Sequence, residues 1–259
     1  MGAIFTSIMF WRLPDGSGRI DMASILLLGI TTWTIYILDR ILDLKVYPKD
    51  FSERHAFHAK NQYNLSILLI ALIVTGTILS FLIPYRVLLY GAALSLFLVI
   101  YFVILNKFMK NSKFQWLKEP VTAICYTLAV VGIAFIYQSF INLSGWVLAF
   151  LLFLVASQNL LVFSYFENLK NQEIKNSVSS FGAKWTLRFI RMIGVVTLLL
   201  VLILFSGGFG YPNRAAFVIA LMSQVLSFLP SKSEYMIHKS RYRWLGDGVF
   251  LLPVILLFF

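Results

Sequence analysis

The chain has 259 residues, of which 59% are hydrophobic and only 13% are charged, and its net charge at pH 7 is +11. Soluble domains are closer to half apolar and a quarter charged, so this composition excludes a soluble globular protein and indicates an integral membrane protein. No base-stacking motif accompanies the positive charge, and nucleic-acid binding is therefore not predicted. The single cysteine, Cys125, lies within an apolar run, which predicts a core residue and no disulfide framework.

Apolar runs suited to membrane-spanning helices recur along the chain, since one crossing needs about 20 apolar residues. They occupy eight stretches, at about 22–43, 64–83, 86–106, 119–138, 143–165, 186–206, 213–230 and 245–259. Residues 3–11 are apolar but too short to cross, which is typical of an interfacial helix or of the remnant of a ninth crossing. Because no alternating β pattern is present, we expect an all-α bundle of eight to nine transmembrane helices, with residues 1–259 forming a single domain.

Basic residues are concentrated in alternate loops. Of the 22 Lys and Arg residues, 17 lie in four long loops that share one face if the helices alternate in direction. By the positive-inside rule this face is cytoplasmic, which predicts a multi-pass protein of the cytoplasmic (inner) membrane. Most acidic residues lie at the same face, although that rule does not govern carboxylates. We therefore expect the chemistry on the cytoplasmic side.

The first polar constellation follows the run SILLLGITTWTIYILDRILDL. Asp39 and Asp43 are four residues apart, so they share a helical face with Tyr36. Carboxylates at a membrane edge are costly unless they pair with a cation, line a wet cavity or bind a metal. Mg²⁺ takes one or two carboxylates together with phosphate and water, and Arg40 is suited to a phosphate oxygen. The alternative is a local ion-pair cluster that caps the helix, joining Asp39 to Arg40 and Asp43 to Lys45.

The second polar constellation is the stretch SYFENLKNQEIKN, at the end of another apolar run. Glu167 and Asn171 are four residues apart, and Lys170 is three residues after Glu167, so these side chains are neighbours on one face. Asn159, two turns earlier inside the apolar run, favours a face that looks into a polar cavity. Taken alone, the stretch is also typical of a solvated helix end.

Two further loops carry candidate phosphate-binding residues. The lysines of NKFMKNSKFQWLKEP, among them Lys107 and Lys113, are suited to a diphosphate or to anionic lipid headgroups. Arg54, His55 and His58 follow the first constellation and are interpreted as polar loop residues that close over a substrate. No third histidine or cysteine joins the two histidines, so a zinc site is not predicted.

In its helix order and in these two polar constellations the chain resembles the UbiA-type intramembrane prenyltransferases. The first motif of that family reads Asn-Asp-x-x-Asp-x-x-x-Asp. Asp39 and Asp43 match its last two acids, while Ile35 and Tyr36 stand where Asn-Asp is expected. The resemblance covers nearly the whole chain in helix order and loop placement.

The second motif of the family usually carries several aspartates, followed by a Phe/Leu-Gly pair before the next helix. Glu167 and Asn171 occupy the acidic turn in this chain, and Phe181 with Gly182 forms the pair. The departures from the aspartate pattern identify a divergent branch of the family.

The resemblance implies a Mg²⁺-dependent transfer of an isoprenyl group from a prenyl diphosphate to a lipophilic acceptor in the membrane. It implies that Asp39 and Asp43 hold one Mg²⁺ and that Glu167 and Asn171 hold another, with Asp39, Asp43 and Tyr36 in the catalytic roles. The residues that it places on the diphosphate are Arg40, Arg54, Lys107, Lys113, Lys170 and Asn171.

Two alternatives remain open at the level of sequence. A catalytically impaired relative would bind a lipid or a polyprenyl phosphate without turnover, and the missing aspartates favour it. A small membrane transporter would use the carboxylate pair inside the membrane. It would distribute polar residues through the midplane, whereas here they gather at one face.

Overall fold

The computed structural model describes residues 1–46, 53–108, 116–170, 176–206 and 208–258. Within these ranges the side chains at 42–43, 45–46, 53–56, 102–103 and 105–108 are not described. The structure is 88% helical, and the described residues contain no strand. The all-α class expected from the sequence is therefore confirmed.

The described residues form twelve α-helices, numbered here in chain order. They are α1 (Gly2–Trp11), α2 (Met22–Val46), α3 (Glu53–Lys60), α4 (Gln62–Ser80), α5 (Tyr85–Phe108), α6 (Lys118–Tyr137), α7 (Leu143–Lys170), α8 (Ser177–Phe181), α9 (Ala183–Phe205), α10 (Tyr211–Phe228), α11 (Ser233–Ile237) and α12 (Arg241–Gly248). Three 3-10 segments lie near the end of the chain, at Leu229–Lys232, His238–Ser240 and Val249–Phe258. Each of the eight apolar runs is helical over most of its described residues, and the helices end before residues 81–83, 138 and 206.

Six helical stretches in the described part of the chain are long and apolar enough to cross a membrane. They are Met22–Ile41, Gln62–Ser80, Lys118–Tyr137, Leu143–Lys170, Ala183–Phe205 and Tyr211–Phe258. Gly2–Trp11 and Tyr85–Tyr101 are shorter apolar helices. These helices are those of a multi-pass membrane protein.

By its contacts the chain divides into two compact units, and the first comprises Met1–Ile20 and Leu89–Phe259. Its centre is α7, against which α6, α9 and α10 all pack. Leu148, Leu151 and Val155 of α7 are fully buried, and their spacing of three and four residues forms one apolar stripe. The core of this unit is therefore built around a single long helix.

A polar side chain, Gln158, joins α7 to both α9 and α10. Its Nε2 donates to the carbonyl oxygen of Ile190 at 2.9 Å and to Oγ of Ser227 at 2.8 Å. Its Oε1 accepts the hydroxyl of Ser223 at 2.8 Å, and the side chain is fully buried. Side-chain hydrogen bonds of this kind hold membrane helices together where lipid gives no hydrophobic driving force between them.

The short helix α1 is part of the packed interior of the same unit. Seven of its ten residues are buried, and it packs against α6 and against Val249–Phe258. The hydroxyl of Ser7 donates to the carbonyl oxygen of Val130 at 2.9 Å. Residues 3–11 are therefore packed against other helices of this unit, and the choice between an interfacial helix and the remnant of a ninth crossing stays a prediction.

The second unit, Asp21–Leu88, contains α2, α3 and α4. Asp21 caps α2, because its Oδ2 accepts the backbone N–H of Ser24 at 3.1 Å and the hydroxyl of Ser24 at 2.6 Å. None of the residues of α4 is buried. A helix that is apolar all round and exposed requires a hydrocarbon surrounding, which agrees with a membrane span. That the two units form one domain stays a prediction.

Candidate functional site

The first candidate cluster lies near the end of α2, in the second unit, and consists of Tyr36, Asp39 and Arg40. Nη2 of Arg40 lies 3.5 Å from Oδ2 of Asp39, and the guanidinium carbon lies 5.1 Å from the centre of the Tyr36 ring. This contact is the Asp39–Arg40 ion pair of the alternative interpretation, while the magnesium role of Asp39 stays a prediction. Asp43 lies one turn later in the same helix, and its side chain is outside the described residues, as is that of Lys45.

The second candidate cluster lies at the end of α7, in the first unit. Oε1 of Glu167 forms an ion pair with Nη2 of Arg243, which is in the first turn of α12. Nζ of Lys170 donates to Oγ of Ser240 at 2.7 Å and lies 5.3 Å from the centre of the Tyr242 ring. Nε of Arg243 donates to the hydroxyl of Tyr242 at 3.2 Å. One carboxylate and two cations are therefore gathered around one aromatic ring.

The ring of Tyr242 is packed against α7. Tyr242 is 1% exposed and stacks on Phe166 of α7, with ring centres 4.8 Å apart and an angle of 22° between the planes. The edge of Phe163 also faces it, at 6.0 Å between ring centres. Because Tyr242 is buried against α7, Lys170 and Arg243, which contact its ring, are held near the end of that helix.

The chain reaches this position through an unusual turn before α12. Lys239 and Ser240 both adopt left-handed backbone conformations, with φ of 52° and 54°. Residues with side chains rarely occupy this region, and such strain is found where the surrounding structure fixes it. The hydrogen bond from Lys170 to Ser240 is one such contact, so the turn and the charged cluster support each other.

Asn159, which the sequence assigned to a face that looks into a polar cavity, is buried against α12. It is 6% exposed, and α12 passes directly over it at Gly246. A Cβ atom at Gly246 would lie 2.6 Å from Oδ1 of Asn159 and 2.5 Å from Cε1 of Phe163. The glycine therefore allows α12 to approach α7 closely, which brings Arg243 to Glu167.

A buried carboxylate, Glu119, lies in the first turn of α6 and is 8% exposed. Its Oε1 accepts the hydroxyl of Ser164 at 2.6 Å and the backbone N–H of Ser177 at 3.1 Å. Asn176 donates from Nδ2 to the carbonyl oxygen of Ser164 at 3.0 Å. These contacts join α6, the last turns of α7 and the start of α8.

Several predicted site residues have no described side chain. Arg54 and Lys107 lie on α3 and α5, of which only the backbone is described at these positions, while Lys113 and Asn171 lie outside the described residues altogether. Their assignment to the diphosphate or to a metal stays a prediction. The expectation that the ends of α2 and α7 face one another also stays a prediction.

Sequence reasoning identified Glu167 and Lys170 but missed three residues that complete the arrangement. Arg243 was counted only among the charges of the cytoplasmic face, Glu119 was assigned no site role, and Tyr242 was not singled out. The run RYRW, directly before the last apolar stretch, was the available signal, because it places cations beside aromatic rings. Glu119 offered less, since nothing local in the sequence distinguishes it from a solvated acid.

The donor set at the end of α7 fits magnesium only together with a phosphate. Oε2 of Glu167 accepts no hydrogen bond from the described residues, and the side chain is 30% exposed, so one oxygen is available to a ligand. No three His, Cys, Asp or Glu side chains cluster in the part of the chain that was described. Because Mg²⁺ often takes one or two carboxylates and completes its shell with phosphate and water, this donor set suits a magnesium diphosphate.

A groove of about 270 Å³ lies between α2 and α4 in the second unit. Thr31, Thr34 and Thr77 contribute to its lining. The hydroxyls of Thr34 and Thr77 donate to carbonyl oxygens four residues earlier in their own helices, at 2.9 Å each. The groove is lined by apolar and hydroxyl-bearing residues and carries no charge, which sets it apart from the charged helix ends.

A scan against protein-family models finds no match for the chain, and searches of curated proteins and of solved structures find none either.

Proposed function

We propose that the protein is a prenyltransferase that moves an isoprenyl group from a prenyl diphosphate to a lipophilic acceptor in the membrane. The observation that carries the proposal is the end of α7, where Glu167, Lys170 and Arg243 gather above a bundle of long apolar helices. A prenyl diphosphate has the matching polarity, with a highly charged head and an apolar chain. The proposal includes the UbiA-like bundle of eight to nine crossings and basic loops facing the cytoplasm.

The cations of the cluster suit the head of such a substrate. Arg243 presents a planar guanidinium that binds phosphate oxygens in pairs, and Lys170 presents a compact ammonium. During transfer the carbon–oxygen bond to the diphosphate breaks, and negative charge develops on the leaving group. Fixed cations stabilise that charge without reorganisation, and the two contacts of Lys170 and Arg243 with Tyr242 hold them in place.

Magnesium would be held by Asp39 and Asp43 at one helix end and by Glu167 and Asn171 at the other. It would supply Lewis-acid neutralisation of the diphosphate. Side chains of the protein supply the other roles, which are orienting the ligand and excluding water. Tyr36 is proposed to orient a ligand or the acceptor, and the buried aromatic pair Phe166 and Tyr242 keeps water from the base of the charged cluster.

The experiment measures Mg²⁺-dependent release of diphosphate from farnesyl diphosphate by the full chain in detergent. We expect Asp39→Ala, Asp43→Ala and Glu167→Gln each to lower the rate about a hundredfold or more. Glu234→Ala, at an exposed acid on α11, is the matched control and keeps the wild-type rate. Unchanged release in all three site variants would exclude the assignment.

The alternative is a protein that binds a prenyl diphosphate or a polyprenyl phosphate without turnover. The ion pair of Glu167 with Arg243 favours it, because one carboxylate oxygen is already neutralised. The two functions differ in their need for metal. Thermal stabilisation by farnesyl diphosphate that persists in EDTA, with no diphosphate released, would support binding alone.

A further inference from the structure

The end of α7 is also held from the side, by Glu119 on α6. We propose that Glu119 is a positioning residue, which fixes the last turns of α7 so that Glu167 and Lys170 keep the orientation that a diphosphate requires. The structural part of this inference rests on the contacts of Glu119. Its consequence for catalysis rests on the proposed function.

Hydrogen bonds to one oxygen of Glu119 connect three helices. Oε1 accepts the hydroxyl of Ser164 on α7 at 2.6 Å and the N–H of Ser177 at the start of α8 at 3.1 Å. Hydrogen bonds to a charged acceptor are about twice as strong as neutral ones. A buried carboxylate in the first turn of α6 therefore acts as the common anchor.

Asn176, at the start of α8, also contacts Ser164 on α7. Its Nδ2 donates to the carbonyl oxygen of Ser164 at 3.0 Å, while its Oδ1 accepts the N–H groups of Val178 and Ser179 at 3.0 and 3.2 Å and so caps α8. Ser164 is thus fixed through both its side chain and its backbone. The start of α8 and the end of α7 are tied at two independent points.

The anchor acts on the site through the helix. Ser164 and Glu167 are three residues apart, so they lie on neighbouring positions of one face. Fixing Ser164 fixes the rotation of α7 about its axis, and with it the direction in which Glu167 and Lys170 leave the helix. Small errors of orientation at a reacting centre cost rate even when the substrate still binds.

The test separates the acceptor role of Glu119 from its charge. Glu119→Gln keeps a carbonyl oxygen for Ser164 and Ser177, whereas Glu119→Ala removes it. Oε2 of Glu119 makes no hydrogen bond with the described residues, so the amide replaces nothing that was bonded there. Ser164→Ala removes one contact without touching Glu119 and is the variant to use if Glu119→Ala fails to fold. Glu234→Ala is the control at an exposed acid.

Two quantities are measured on the full chain in detergent: amide hydrogen exchange at residues 164–170, and kcat and KM for farnesyl diphosphate with Mg²⁺. Glu119→Ala and Ser164→Ala are expected to speed exchange about tenfold, because hydrogen bonds that close the helix end are lost. They are expected to lower kcat about tenfold with KM within about threefold. Glu119→Gln is expected to fall between wild type and Glu119→Ala in exchange and kcat, because its neutral oxygen still accepts both hydrogen bonds but accepts them more weakly.

Exchange and kcat that remain at wild-type values in both Glu119→Ala and Ser164→Ala would overturn the inference. A Glu119→Gln variant as impaired as Glu119→Ala would overturn it too, because the charge and not the acceptor would then matter. If the wild-type chain releases no diphosphate, the proposed function fails. The exchange comparison still decides whether Glu119 fixes the end of α7.

Discussion

The two helix ends carry the same chemistry in different settings, since each has a tyrosine, an arginine near its ring and a carboxylate paired with the arginine. At the end of α2 the partners Tyr36, Asp39 and Arg40 lie within one helix turn. At the end of α7, Glu167 pairs with Arg243, which is 76 residues later in the chain. A local cluster forms wherever the helix forms, whereas the second cluster exists only when α7 and α12 are packed.

Burial of the tyrosine separates the two ends as well. Tyr36 is 51% exposed, while Tyr242 is 1% exposed. The two ion pairs themselves are similarly exposed, at 18% and 37% for Arg40 and Asp39 and at 26% and 30% for Arg243 and Glu167, so water and salt screen both in part. The comparison indicates that the end of α7 is preorganised by tertiary structure. The end of α2 depends on its own helix for the contacts described.

The largest effect is expected from Arg243→Ala, which leaves Glu167 without its cation. We expect the free energy of unfolding to fall by about 2.5 kcal/mol, below the range for breaking a fully buried pair because this pair is partly exposed. Titration with SDS in mixed micelles measures it. Arg214→Ala, at an exposed position on α10, is the control and should change stability by less than about 0.5 kcal/mol. A loss below about 1 kcal/mol for Arg243→Ala, the value typical of exposed ion pairs, would remove the contrast between the two ends.

Gly246→Ala is expected to separate α12 from α7 without removing any charge. The added Cβ would meet Phe163 and Asn159 at 2.5 and 2.6 Å, and overpacking of this kind costs about 2 kcal/mol. Gly91→Ala is the matched control on α5, because nothing lies within 4 Å of its added Cβ. The same unfolding titration applies to both variants. Equal stability of the two would show that close packing at Gly246 does not hold the second cluster together.

Gln158→Leu tests the polar contacts inside the first unit. The hydroxyls of Ser223 and Ser227 lose their partner, and hydrogen bonds between membrane helices contribute about 0.6 kcal/mol each, so a loss of about 1 kcal/mol is expected. Thr75→Val on α4 is the control, since the hydroxyl of Thr75 donates only to the carbonyl oxygen of Ala71 in its own helix at 2.8 Å. Thermal unfolding in detergent distinguishes them, and a larger loss for Thr75→Val would contradict the assignment of the core to α7.

The smallest effect is expected from Arg40→Ala at the end of α2. Its pairing with the adjacent Asp39 is local, so the free energy of unfolding should fall by less than about 1 kcal/mol. Repeating the SDS titration at low and high salt measures the screened part. A loss as large as that of Arg243→Ala would show that the first end is also fixed by long-range packing.

The sequence predicted the helices well because their signal is local. Long apolar runs and the cost of unpaired backbone groups in lipid favour helices, and the eight runs are helical over most of their described residues. The pairing of Asp39 with Arg40 was predictable for the same reason, since the partners are adjacent. The partial burial of residues 3–11 was not, because it depends on packing with α6 and the last segment of the chain.

The contacts between residues far apart in the sequence could not be predicted, for a physical reason. Nothing near Glu167 in the sequence indicates that its partner is Arg243, and a left-handed turn at Lys239 and Ser240 is not encoded by any glycine. The buried role of Glu119 likewise depends on Ser164 and on the start of α8. Such contacts are set by how the helices pack, which periodicity does not report.

The most direct test of the account is the affinity of the end of α7 for a prenyl diphosphate. Titration calorimetry with farnesyl diphosphate and Mg²⁺ compares the wild-type chain with Lys170→Gln, and Lys232→Gln provides the control at an exposed lysine. Loss of one charged contact is expected to raise Kd about tenfold for Lys170→Gln and to leave it unchanged for the control. Equal Kd values for the wild-type chain and Lys170→Gln would contradict the claim that this cluster holds the diphosphate.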